Sequence, residues 1–90
     1  MKSEAAVRAA AGDLATIRQI LAQHGRLSVA AGSLTDDADL YYAGLTSLAT
    51  VNVMLALENH FDIEFPDSML SRKTFASIES IAEAVAELVA

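Results

Sequence analysis

The sequence predicts a small all-α bundle with three main helices, one short helical segment and a long loop between the first and second helices. Three observations lead to this. Apolar residues recur at helical spacing in three separate stretches. The stretches are joined by segments rich in Gly, Ser, Thr and Asp rather than by alternating β-type runs. Ninety residues, 53% of them hydrophobic, are enough for one well-filled core and too few for two.

The chain divides into a lead-in, residues 1–12, and a single domain, residues 13–90. The lead-in is rich in Ala and charge and weakly periodic. It reads as either a frayed helical approach or the start of the first helix. From Asp13 the pattern is clear: Asp13 suits a helix start, and Leu14, Ile17, Ile20 and Leu21 fit one face. Gly25 is the expected stop, with His24 suited to the negative end of the dipole.

Residues 25–46 form the long connection, with Gly32, Ser33, Thr35, Asp36, Asp37 and Gly44. Loops of this length in small domains are often functional. Leu34, Leu40 and either Tyr41 or Tyr42 are the expected anchors to the core.

The second helix is expected from Ser47 to His60. Leu48, Val51, Val53, Met54, Leu55, Leu57 and Phe61 span an arc of roughly 220° at helical pitch, which predicts a central helix with neighbours on several sides. The remaining face is small and uncharged: Ala49, Asn52, Ala56, Asn59 and His60. Glu58 falls inside the apolar arc by angle, near the helix end. Phe61-Asp62-Ile63-Glu64-Phe65 alternates like a strand but has no partner, so an extended connector is expected. Pro66-Asp67 then opens the short helical turn through Met69 and Leu70, and Phe75 is a further core anchor. Ser77 can cap the last helix, whose apolar positions are Ile78, Ile81, Ala82, Val85, Leu88 and Val89.

Composition excludes several classes. No cysteine means no disulfide and no thiolate metal site, and two histidines with scattered carboxylates form no ligand cluster. A formal net charge of −6 argues against nucleic acid. From Leu27 to Ser71 there are seven acids (Asp36, Asp37, Asp39, Glu58, Asp62, Glu64 and Asp67) and no Lys or Arg. Such a field steers partners with basic patches, or simply keeps a small protein soluble. No run reaches the roughly 18 apolar residues of a membrane span, and Met1 to Arg8 make a poor signal peptide. A cytoplasmic monomer away from membranes is expected.

Ser47 is the candidate site. It lies in Gly44-Leu45-Thr46-Ser47-Leu48, between the acidic loop and the apolar helix. A nucleophilic serine needs a base within hydrogen-bond reach. His60, on the same helix, is about 20 Å away at 1.5 Å per residue, and the Gly44-x-x-Ser47 spacing is not that of a nucleophile elbow. No catalytic residue is assigned, and the chain is not expected to be an enzyme. The plain structural role for Thr46 or Ser47 is helix capping.

Context adds a second role. Asp36-Asp37-Ala38-Asp39-Leu40-Tyr41-Tyr42-Ala43-Gly44-Leu45-Thr46-Ser47-Leu48, then Val51, Met54-Leu55-Ala56-Leu57-Glu58 and Phe61-Asp62-Ile63-Glu64-Phe65-Pro66, resembles the acyl carrier protein family in order and spacing over about residues 13–89. The resemblance implies that family's four-helix bundle. It also implies a covalent 4'-phosphopantetheine, taken from coenzyme A by a phosphopantetheinyl transferase and joined to Ser47, with its thiol carrying acyl groups as thioesters. Gly44, Thr46 and Leu48 would flank the attachment point: Gly44 lets the loop bend so that an enzyme can approach, and Leu48 anchors the helix start to the core. A phosphate there suits a helix N-terminus.

Two positions depart from the family. Thr46 stands where an Asp is usual, removing a charge beside the attachment point that Asp39 and the other loop acids can offset. The second-helix face that is usually acidic is here Ala49, Asn52 and Asn59, and only Glu58 keeps its charge. Ala49, Asn52, Asn59 and Asp39 are therefore the expected partner-binding residues of a specialised carrier. Together with Arg72-Lys73-Thr74-Phe75-Ala76-Ser77-Ile78, the pattern is similar to small bacterial aminoacyl carrier proteins. Their partners would be an amino acid:carrier protein ligase resembling seryl-tRNA synthetase and a further acceptor enzyme. Two alternatives remain open. In the first, the chain carries fatty, polyketide or other acyl groups, with Val53, Met54, Leu57, Phe61, Ile63, Met69 and Leu70 lining a pocket instead of filling a core. In the second, it is an unmodified interaction module.

Overall fold

The computed structural model describes residues 4–89, with side-chain surroundings from Leu14 onward. Three α-helices carry the fold: α1 (Glu4–His24), α2 (Ser47–Phe61) and α3 (Ile78–Val89). Single 3₁₀ turns lie at Ala31–Ser33 and Asp67–Met69, the second where the short helical segment is expected.

α1 starts at Glu4, well before Asp13. The run Ala5, Ala6, Ala9, Ala10 and Ala11 has high helix propensity, enough to carry the helix through Gly12. Residues 1–3 of the expected lead-in lie outside the described residues. At the other end the helix stops at His24, and Gly25 donates its N–H to the Leu21 carbonyl at 2.8 Å. The left-handed residue is Arg26 (φ 50°), not Gly25. Glycine is needed at 25 for space instead, since a Cβ there would meet the Leu21 carbonyl oxygen at 2.7 Å.

The core joins Ile17, Ile20 and Leu21 of α1 to Ile78, Ile81, Ala82 and Val85 of α3, with Val53 and Leu57 of α2 and the Phe65–Phe75 ring pair, whose centroids are 5.5 Å apart. Ser77 caps α3 reciprocally. Its Oγ accepts from the Ser80 N–H and its own N–H donates to Ser80 Oγ, each at 3.0 Å. Val89 ends the expected apolar repeat exposed.

α2 is not the enclosed helix that its apolar arc predicts. It turns one line inward, Ala49, Val53 and Leu57, spaced four apart. Leu48, Val51 and Leu55 sit about a quarter turn or more round the axis from that line and are exposed. Leu48 is 75% exposed, so it does not anchor the helix start to the core. Leu45, just before the helix, does so. Glu58 ties down the connector after α2. Its side chain accepts the Phe65 N–H at 2.9 Å, and its carbonyl accepts the N–H groups of Asp62 and Ile63, with Asp62 left-handed at φ 53°. Residues 61–65 form no strand, as expected.

Candidate functional site at the start of the second helix

The long loop presents Ser47 because it is stitched down on both sides. Leu40, fully buried, donates its N–H to Ala76 at 2.8 Å, and Glu79 N–H reaches the Asp36 carbonyl at 2.9 Å, fastening the loop to the approach to α3. Arg18 of α1 donates to the carbonyls of Ala31 (3.0 Å) and Leu34 (2.7 Å) and pairs with Asp36. Ser28 donates both its N–H and its hydroxyl to the Ala43 carbonyl at 2.8 Å. Gly44 makes the last bend at φ 111°, a conformation that side chains disfavour, and a Cβ there would lie 3.0 Å from Ser28 N. Of the two tyrosines, Tyr41 is the anchor, while Tyr42 is 92% exposed.

Thr46 is the N-cap: its hydroxyl accepts the Ala49 N–H at 3.1 Å. Ser47 is therefore the first helical residue, exposed, with its hydroxyl not needed for the cap. The first turn holds no acid, so its free N–H groups and the positive end of the helix dipole are open to an anion. A phosphodiester on Ser47 suits these surroundings.

The expected partner residues separate. Asn52 and Asn59 are exposed on α2. Ala49 is only 2% exposed because it begins the inward line, so it cannot meet a partner. Ala56 is partly buried against the core. Asp39 is exposed, and its Oδ1 accepts the N–H groups of Tyr41 (2.9 Å) and Tyr42 (3.3 Å), which holds the turn before Gly44. The outward face of α2 is thus Leu48, Val51, Asn52, Leu55 and Asn59, without a carboxylate.

Beside Ser47 lies an open groove of about 340 Å³ between α2 and residues 70–75. Ser47, Thr50, Val51 and Met54 form one wall; Tyr41, Leu70, Ser71, Arg72 and Phe75 form the other. The Arg72 guanidinium stacks 3.9 Å from the Tyr41 ring centroid, and the Tyr41 hydroxyl donates to the Arg72 carbonyl at 2.6 Å. Burial pushes the Tyr41 phenol above its usual range; the charge of Arg72 acts the other way, and Asp39 adds to the rise. Tyr41 is therefore neutral at physiological pH and serves as a donor.

Sequence reasoning missed this groove. A usable sign was that Arg72 is the first Lys or Arg after forty-odd residues without either. Of the seven residues considered for a pocket, only Met54 and Leu70 line the groove, while Val53 and Leu57 are sealed in the core. Among the described residues no group of three or more His, Cys, Asp or Glu could hold a metal. No described helix is long and apolar enough to cross a membrane.

The chain matches the phosphopantetheine attachment site family over residues 15–85. It is 55% identical over 71 residues to an aminoacyl carrier protein of Agrobacterium fabrum, covering 79% of this chain and 86% of that one. It belongs to the aminoacyl carrier proteins of the phosphopantetheine attachment family. The family bears its prosthetic group covalently.

Two solved structures extend the comparison. One holds an engineered Bradyrhizobium japonicum glycine:[carrier protein] ligase complexed with carrier protein from Agrobacterium tumefaciens and AMP. The match has TM-score 0.78 at 54% identity, covering 80% of this chain and 96% of that one. The other holds the Bradyrhizobium japonicum ligase with glycylated carrier protein. Its TM-score is 0.71 at 30% identity, covering 81% of this chain and 97% of that one.

Proposed function

We propose that Ser47 is the residue that bears 4'-phosphopantetheine, and that this carrier receives a small amino acid, glycine first among candidates, from an ATP-dependent amino acid:carrier protein ligase. The observation that carries the reading is the pairing of an exposed Ser47 with an α2 face whose exposed residues carry no carboxylate. Ser47 supplies the hydroxyl for the phosphodiester, Thr46 holds the helix start, and the loop fastened by Leu40, Arg18 and Ser28 keeps both in place. When bound, the prosthetic group supplies the thiol on which the amino acid rides as a thioester.

The chain itself supplies no catalysis; a phosphopantetheinyl transferase modifies it, a ligase loads it and a further enzyme accepts the cargo, all in the cytoplasm. Leu48, Val51, Asn52, Leu55 and Asn59 form the docking face for the ligase, with Asp39 at its loop edge. A partner with apolar and hydrogen-bonding groups fits this face, whereas one that seeks carboxylates along α2 finds only Glu58, already engaged by the Phe65 N–H. Relatives solved with a glycine:[carrier protein] ligase support this partner class.

Loading tests the reading. Holo protein is incubated with ATP, labelled glycine and the Bradyrhizobium glycine:[carrier protein] ligase. Acid-stable, hydroxylamine-labile label is expected on the wild type and none on Ser47→Ala. Equal label on Ser47→Ala, or none on wild type with any small amino acid, would overturn it.

A further inference from the structure

Ser47 and Arg72 face one groove, and its lining holds one charge. Among the nine lining residues Arg72 is the sole ionic side chain; the others are hydroxyl-bearing or apolar. Among the described residues Arg72 forms no salt bridge, and the nearby Asp39 carboxylate is engaged by the Tyr41 and Tyr42 N–H groups outside the groove lining. Its stem and guanidinium are not free to wander, because the plane stacks on Tyr41, and Tyr41 is tied by its hydroxyl to the Arg72 backbone. The chain therefore holds a planar cation against the wall opposite Ser47, at the end of an acidic block running from Leu27 to Ser71.

A phosphodiester on Ser47 would introduce one negative charge at the mouth of this groove. Guanidinium recognises phosphate oxygens through paired N–H donors, and a stacked guanidinium loses little freedom in doing so. Beyond the phosphate, the walls offered by Val51, Met54, Leu70 and Phe75 are apolar, while Thr50 and Ser71 provide hydroxyls. That composition matches a chain with branched methyl groups and neutral amides. It does not match a protonated amino group, which would meet Arg72 and no carboxylate.

Resting on Ser47 as the attachment point, we propose that Arg72 is a positioning residue for the prosthetic arm: its guanidinium pairs with the phosphodiester on Ser47 and lays the arm along the groove of Val51, Met54 and Leu70. The amino end of the cargo then stays outside, where a second enzyme can reach it. Arg72 thus limits the directions in which the arm leaves Ser47 without closing over the cargo.

Isotope-filtered NMR on the full holo chain tests this, with the protein labelled and the arm unlabelled. The expected result is nuclear Overhauser contacts from the arm's geminal methyl groups to the methyls of Val51, Met54 or Leu70. In Arg72→Gln these contacts should weaken about threefold or more, while backbone amide shifts away from the groove stay in place. Lys73→Gln makes the same change in net charge next door and should leave the contacts unchanged. No contacts in the wild type, undiminished contacts in Arg72→Gln, or equal loss in Lys73→Gln would overturn the role of Arg72. Peptide mapping of the same sample separates the two failures. An arm on Ser47 without these contacts sinks only the Arg72 assignment, whereas an arm on another residue sinks the attachment reading.

Discussion

The loop of residues 25–46 and the outer face of α2 show opposite relations between sequence and structure. The loop is polar, glycine-bearing and irregular, yet Arg18 ties it to α1, Leu40 and Glu79 tie it to α3 and its approach, and Ser28 closes it on itself at Ala43. The outer face of α2 is apolar and regular, yet Leu48, Val51 and Leu55 lie open on it. Polarity therefore does not mark which region is fixed. The irregular region is held because its backbone groups find partners, and the regular helix leaves apolar side chains in water. The fastened loop places Ser47, and an exposed, largely apolar helix face lies beside it.

Substitutions in each region should break this contrast in different ways. The largest effect is expected from Leu40→Ala, which empties a fully buried site at the loop's fastening to α3. It should lower unfolding free energy by about 2–5 kcal/mol in urea titration. Arg18→Met should cost less, about 1–3 kcal/mol, by removing the donor to the Leu34 carbonyl and leaving the Ala31 carbonyl with the Leu34 N–H alone. Its partner Asp36 is half exposed, so the ion pair itself adds little. Hydrogen exchange should quicken in residues 31–36 before the helices respond. Thr46→Ala removes the α2 cap and should cost about 1 kcal/mol. The smallest effect on stability belongs to Leu55→Ser, within about 0.5 kcal/mol, because the side chain is 53% exposed. The same change should weaken ligase binding in calorimetry severalfold. A large stability loss there, or undisturbed binding, would mean that the α2 face is structural and not a docking surface.

Much of this was legible in the residues. Ile17, Ile20 and Leu21 and the α3 series declared their helices because both pack on a single side, where helical spacing and burial agree. Ser77 as a cap and Asp67–Met69 as a turn follow from local chemistry. The exposure of Leu48 and the burial of Ala49 were not legible. An apolar arc of about 220° leaves open which part faces the core, and the choice falls on the line of small and branched residues that lets α2 approach closely. Arg72 also escaped, because its place opposite Ser47 depends on Tyr41, thirty-one positions away in the chain. Ser47 was singled out as the candidate from its setting: a loop bend, a cap and no base.

The most direct measurement is peptide-mapped mass spectrometry of the intact chain after reaction with coenzyme A and a phosphopantetheinyl transferase. The predicted result is one phosphopantetheinyl group per chain, on the peptide that contains Ser47 and on that residue alone. An unmodified chain, or a group on another exposed serine such as Ser68 or Ser71, would contradict the assignment of Ser47 as the tether.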